Sequence, residues 1–294
     1  MDTDCVQSSP FQGMFYGNGH TISGVFINRS STNYVGFFGY VSGAIIQDLN
    51  ISGTSIKGST DVGGIVGNAN SSTISNCTVT LSSGIEGYAD VGGIVGKPTS
   101  STISNCIVSF SGGIEGSENN IGGVAGLSSS STISNCTVSL ISGIDGQSNV
   151  GGIAGSFSSS SITNCSIEGN VRGTYPSIGG IAGFINSTDI IKSTITGNVT
   201  GNDTIVGGVA GSVGGTCIIS NVNCVGDVSG SGIVSGIAGK LLSGARVSFK
   251  KAFSKGKITN TGDFTGGIVG KSDGPRIAGM TDCRKTGSSP CVLC

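Results

Sequence analysis

The 294-residue chain has no tryptophan, one histidine, three methionines and five prolines. A single histidine, His20, removes histidine-built zinc sites and the HExxH pattern of metallopeptidases. Five prolines beside 54 glycines exclude a collagen helix, which needs both residues in a strict three-residue period. Charged residues make up only 11% of the chain, against about 25% in ordinary globular domains. The strong helix formers Ala, Leu, Glu, Lys and Arg are thin, so a helical protein is not expected. No run of 18 apolar residues occurs, which argues against a transmembrane helix. The start, Met1-Asp2-Thr3-Asp4-Cys5, lacks the basic and apolar regions of a secretory leader. A processed chain or a fragment is the expectation.

What remains is Gly, Ser, Thr, Ile and Val in quantity. The mean hydropathy of +0.24 separates the chain from disordered sequences. An all-β protein rich in turns follows. The net charge of −1 gives no reason to expect nucleic acid as a partner. That average conceals an asymmetry: residues 1–239 hold 5 basic and 13 acidic residues, and residues 240–294 hold 10 basic and 3 acidic.

The strongest signal is an internal repeat. A hexad of the form Val-Gly-Gly-Ile-Val/Ala-Gly closes at Gly67, Gly96, Gly126, Gly155, Gly183, Gly211, Gly239 and Gly270, and a shorter variant closes at Gly39. Between hexads come TISNC segments at 73–77, 102–106 and 132–136, SITNC at 161–165, and GIEG or GIDG at 84–87, 113–116 and 143–146. A period near 28–30 residues, divided into short β-prone pieces, fits one coil of a parallel β-helix. Nine stacked coils with three short strands each are expected, right-handed by the usual preference of parallel crossovers. Neighbouring coils would sit about 4.8 Å apart, giving a rod roughly 40–45 Å long. Residues 1–33 read as an atypical, aromatic-rich first coil that plugs the core, 34–272 as the solenoid, and 273–294 as a cysteine-containing tail. At the far end, Lys240, Arg246, Lys250, Lys251, Lys255 and Lys257 are positioned to blunt the open sheet edge.

Stacking turns equivalent residues into rows. Cys77, Cys106, Cys136 and Cys165 share one repeat position and read as small core residues, with a metal site or disulfide staple as the alternative. A straight row does not converge as zinc requires. Cys217, Cys224, Cys283, Cys291 and Cys294 are candidates for disulfides in an extracellular setting. Asn76, Asn105, Asn135 and Asn164 read as an asparagine ladder. Glu86, Glu115 and Asp145 form a second polar row, either solvated or recruiting calcium. Asp61, Asp90, Asn120 and Asn149 form a third. Ser71-Ser72-Thr73, Ser100-Ser101-Thr102, Ser130-Ser131-Thr132 and Ser159-Ser160-Ser161 make a hydroxyl strip, readable as polar turns or as an ice- or glycan-binding lattice. The N-x-S/T sequons at Asn28, Asn50, Asn70, Asn186, Asn198 and Asn202 are the glycosylation candidates.

Catalytic patterns fail on context. Thr265–Ser272 approaches a phosphate loop but puts threonine where the first glycine belongs. Gly270-Lys271-Ser272-Asp273-Gly274 matches a nucleophile elbow without its strand-to-helix setting. No enzyme is expected.

The hexads, read as GIVG, GVAG and GIAG cores, resemble the GLUG repeat. The segment from Phe11 through Gly17-Asn18-Gly19-His20 to Ile27 is similar to the stretch often found ahead of such repeats. The resemblance covers about residues 11–272. It implies a β-solenoid of the kind found in bacterial and protist surface adhesins and in non-catalytic parts of immunoglobulin-A-cleaving peptidases, and it implies export. The expected function is a non-enzymatic cell-surface or secreted scaffold that binds a host or environmental ligand, with a glycan as one class. The alternatives are a filament subunit stacking end to end through opposite charges, and an ice- or glycan-binding solenoid.

Overall fold

The computed structural model describes residues 9–202, 204–274, 276–281 and 284–285. It is an all-β solenoid of about nine turns, with no helix among the described residues. All strand pairings are parallel and join one coil to the next, in register: Ile103 pairs with Ile74 on one side and Ile133 on the other. Each backbone ladder is therefore satisfied by its neighbouring coils.

A coil contains four or five short strands rather than the three expected. In the coil beginning at Thr102 they are Thr102–Ser104, Ile107–Phe110, Gly113–Gly116, Asn119–Gly122 and Ala125–Ser129. The coil turns at three corners where one residue takes a left-handed conformation; here the first two separate strands and the third lies within one, as Asn120 does in Asn119–Gly122. The first corner holds Ser71, Ser100, Ser130, Ser159 and Ser187, with φ of 48–52°. The second holds Asp48, Asn76, Asn105, Asn135 and Asn164, then Lys192, Asn221 and Lys251, with φ of 48–56°. The third holds Tyr34, Asp61, Asp90, Asn120, Asn149 and Ser177, with φ of 50–76°. This region costs a non-glycine residue about 1–2 kcal/mol. Asn and Asp tolerate it best, which is why they recur at two of the corners.

Between corners, side chains alternate inward and outward. Inward rows such as Ile46, Ile74, Ile103, Ile133, Ile162 and Ile190 are fully buried, as the period-2 rule for strands requires. The hexad glycines mark places where two backbones touch. A Cβ added to Gly123 would collide with the carbonyl of Gly152 and crowd both methyls of Val138.

Both ends differ from expectation in part. Phe11, Phe15, Phe37 and Phe38 form a cluster with ring centroids 5.2–6.3 Å apart, packed against the core. Tyr16 and Phe26 instead face solvent. Strands Met14–Tyr16 and Thr21–Asn28 pair with the following coil, so residues within 1–33 belong to the same stack. At the other end, Arg246–Ser254 pairs with Thr216–Cys224 on one side and with Arg276–Thr281 and Arg284–Lys285 on the other. Lys250 and Lys251 thus lie on an interior strand, not on a terminal edge, and the solenoid runs past residue 272 into the segment expected to be a tail. Lys240 is engaged by Asp273 at 2.6 Å.

Candidate ligand groove

The strands between the second and third corners carry an outward row along the rod. Register places Lys57 beside Glu86, Glu86 beside Glu115, Glu115 beside Asp145, Asp145 beside Arg172, and Arg172 beside Thr200. Three acids are thus bracketed by two bases. Lys57 Nζ meets Glu86 at 2.6 Å and Arg172 meets Asp145 at 3.6 Å. These pairs are about half exposed, so they contribute little to stability. Glu115, in the middle, has no cationic partner among the described residues. The expected calcium row is therefore not three free carboxylates: two are neutralised, and the three spread along the axis instead of converging. No three His, Cys, Asp or Glu side chains converge among the described residues.

This row floors a hollow of about 550 Å³ whose far wall is formed by Ser117, Gln147, Thr174 and Asn202. A second hollow of about 270 Å³, bounded by Ser55, Ser83 and Gly84, shares Glu86 and Glu115 with it. Together they make a polar trough parallel to the rod. Two exposed tyrosines follow this row in sequence, outside the lining of both hollows. Tyr88 follows Gly87 and its N–H donates to Ser59 O; Tyr175 follows Thr174 and its N–H donates to Gln147 O. Their side chains are 52% and 57% exposed. They are three coils apart, roughly 14 Å along the rod.

The third corner has its own electrostatics. Asn68 Nδ2 donates to Asp61 Oδ2 at 2.6 Å, Asn120 Nδ2 donates to Asp90 Oδ1 at 2.8 Å, and Asn149 Nδ2 donates to Asn120 Oδ1 at 3.0 Å. Asp61 is 5% exposed. Burial raises its pKa from 3.8 to about 6, and the neighbouring Asp90 carboxyl adds to the rise against the opposing pull of Asn68 and Lys97.

The asparagine row forms a ladder over most of its length: Asn76 Nδ2 donates to Asp48, Asn135 to Asn105 and Asn164 to Asn135. Asp48 is a rung that the sequence reading missed. Its 28-residue spacing from Asn76 was the available signal. A further ladder also went unread: the N–H of Asn198 donates to Asn170 Oδ1, that of Asp227 to Asn198 Oδ1, and that of Lys257 to Asp227 Oδ1.

The hydroxyl strip is not a flat lattice. Its middle residues are buried and spent on the backbone: the N–H of Ser72 donates to Ser101 Oγ, that of Ser101 to Ser131 Oγ and that of Ser131 to Ser160 Oγ. Only the flanking serines and threonines face outward. Among the sequons, Asn28, Asn198 and Asn202 are exposed, whereas Asn50, Asn70 and Asn186 are half-buried. Asn50 Nδ2 also donates to Gly19 O.

Cys77, Cys106, Cys136 and Cys165 are buried free thiols in one inward row. Cys217 and Cys224 are also free and buried. The pairing of these two expected from sequence does not form. They sit at opposite ends of one strand, roughly 15 Å or more apart even with the corner at Asn221, and a disulfide needs Cα atoms within about 7 Å. Burial pushes the Cys224 thiol up to about 12 and also raises that of Cys217. Cys283, Cys291 and Cys294 lie outside the described residues.

No protein-family model matches the chain. Halomucin of Haloquadratum walsbyi is 44% identical over 71 residues, 24% of this chain and 1% of halomucin. The chain therefore spans a very small part of that protein. A solved structure from Bacteroides ovatus, provisionally named as an immunoglobulin A1 protease, aligns over 86% of this chain and 78% of its own, with 18% identity and a TM-score of 0.44. The A-module of the Azotobacter vinelandii mannuronan C-5 epimerase AlgE6 aligns over 96% and 80%, with 9% identity and a TM-score of 0.21. The fold assignment rests on the strand pairing described above.

Proposed function

We propose that the chain is a GLUG-type β-solenoid that acts, without catalysis, as a surface or secreted scaffold, and that its trough binds an extended glycan. The observation that carries this reading is the trough itself, a polar floor running across several coils; Tyr88 and Tyr175, exposed and close in sequence to its lining residues, are proposed to supply the aromatic contacts. Tyrosine rings offer an apolar face to a sugar ring, and the carboxylates and amides of the floor and wall accept and donate to hydroxyls. The unpaired Glu115 favours neutral or amino sugars over polyanionic ones. The local similarity to halomucin agrees with an extracellular setting.

The filament reading receives less support. It relied on opposite charges at the two ends, and of the basic residues expected at the edge Arg246, Lys250 and Lys251 lie on a covered strand while Lys240 is paired with Asp273. The ice-binding reading needed an exposed hydroxyl lattice, and the middle residue of each piece of that strip is turned to the backbone.

A glycan array tests the proposal, run with the wild-type chain and with the Tyr88→Ala/Tyr175→Ala and Glu115→Gln variants. Binding of neutral or amino-sugar oligosaccharides, weakened at least tenfold by the tyrosine changes, is the expected result. Binding to no glycan, or equal binding by the variants, would refute it.

A further inference from the structure

The four-thiol row has a geometry the glycan reading does not use. Cys77, Cys106, Cys136 and Cys165 each donate from Sγ to the carbonyl two residues earlier: Ser75 at 3.2 Å, Ser104 at 3.3 Å, Ser134 at 3.3 Å and Thr163 at 3.4 Å. The same bond at every rung gives the side chains one common orientation. Backbone bonds lock the rungs together: the N–H of Ile107 donates to Cys77 O, that of Thr137 to Cys106 O and that of Ser166 to Cys136 O. The sulfurs therefore repeat at the coil spacing, about 4.8 Å.

That spacing discriminates between chemistries. A disulfide requires sulfurs about 2.05 Å apart, so both side chains would have to leave their common orientation. Zinc needs four ligands converging on a point, and a row does not converge. A metal ion bound in line by two sulfurs needs them about 4.6 Å apart, twice a metal–sulfur bond of about 2.3 Å. The row supplies that distance with almost no movement.

We infer that the row is a binding site for soft, thiophilic ions that take two ligands in line, of the Hg(II), Ag(I) and Cu(I) class, with one ion between Cys77 and Cys106 and one between Cys136 and Cys165. Thiolate softness matches this class. For Hg(II) two thiols lose their protons to solvent as two metal–sulfur bonds form; for Ag(I) or Cu(I) one thiol loses its proton and the other binds as the neutral thiol, so the bound unit is neutral in each case. Neutrality matters because the thiols are 0–2% exposed and a net charge there would be costly. Cys165, itself 2% exposed, borders a surface hollow of about 320 Å³ shared with Asn135, Asn164 and Lys192.

The test separates adjacency from thiol count. The full chain, carrying serine at Cys5, Cys283, Cys291 and Cys294, is loaded with Hg(II), exchanged against a competing monothiol and weighed by native mass spectrometry. Two variants follow in that background, Cys77→Ser/Cys106→Ser and Cys106→Ser/Cys165→Ser. Serine is tolerated at this rung: Ser193 occupies the next one, and its hydroxyl donates to Ile191 O at 3.0 Å as the thiols do. Both variants keep two thiols of the row, but only the first keeps two adjacent. Retention of two ions by the intact row, one by the first variant and none by the second, with unchanged circular dichroism, is expected. Equal retention by the two variants would overturn the inference. So would no retention at all, loss of the β signal on loading, or a row that is isolated four hydrogens lighter as two disulfides.

Discussion

Replacing Asp61 by asparagine should stabilise the solenoid at neutral pH and leave it unchanged in acid. In the fold the Asp61 carboxyl titrates near 6 instead of 3.8, because it is buried and faces Asp90. A raised carboxylate pKa means that the folded chain holds a proton the unfolded chain has released. The group is neutral in both states below pH 3.8, so nothing is lost there. As pH rises through 3.8 towards 6 the unfolded state gains the advantage, and above 6 the loss is complete. About two units at 1.36 kcal/mol each put it near 3 kcal/mol. Asparagine removes the titration and suits the position. It adopts the left-handed conformation of Asp61 (φ 55°), and Asn120 and Asn149 already fill later rungs of that corner. Its amide nitrogen also gives Asp90 a second donor beside Asn120. Urea unfolding of both proteins at pH 4, 5, 6, 7 and 8 is the assay. The gain should be near zero at pH 4 and grow to about 3 kcal/mol by pH 7. A gain independent of pH, or one largest in acid, would refute the assignment of the strain to this carboxyl pair.

Three further changes probe packing. Gly123→Ala drives a methyl into the Gly152 carbonyl, and thermal melting should show a loss of about 3 kcal/mol or more, because both neighbours are backbone or core. Ser128 Oγ is buried without a hydrogen-bond partner, in a row between Pro98 and Phe157; Ser128→Ala should raise stability by about 1 kcal/mol in the same melts. Phe157 is fully buried at the middle of the rod, and Phe157→Ala should cost about 3–5 kcal/mol, read as faster amide exchange in the coils on either side.

The stack itself was legible in the sequence because a parallel, in-register solenoid repeats its contacts whenever its residues repeat. The hexads, the cysteine row and the asparagine row all occupy their expected places for that reason. The division of the coil into four or five strands was not legible, because a left-handed serine at Ser100 and an extended one at Ser101 look alike in sequence. The same ambiguity made a buried hydroxyl ladder read as a surface strip. The ion-pair brackets of the trough went unread for a different cause. Lys57 and Arg172 replace acids at the row's two ends, so they break the repeat that a search by similarity follows. The coupling of Asp61 to Asp90 needed burial as well as spacing, and spacing alone was visible.

Counting residues between corners gives the coil a division of labour. In the five coils from Asp48 to Ser187, the third corner to the first always takes 10 residues and the first to the second always takes 5. The stretch from the second corner to the third varies: 13 from Asp48 to Asp61, 14 from Asn76 to Asp90, 15 from Asn105 to Asn120, 14 from Asn135 to Asn149 and 13 from Asn164 to Ser177. All the length variation of these coils therefore falls in the segment that carries the trough. About half of the perimeter behaves as a fixed chassis, and the rest as an interchangeable fitting. New lip sequences can be spliced in there coil by coil without disturbing the ladders, so one rod can in principle carry a different recognition surface for every coil it contains.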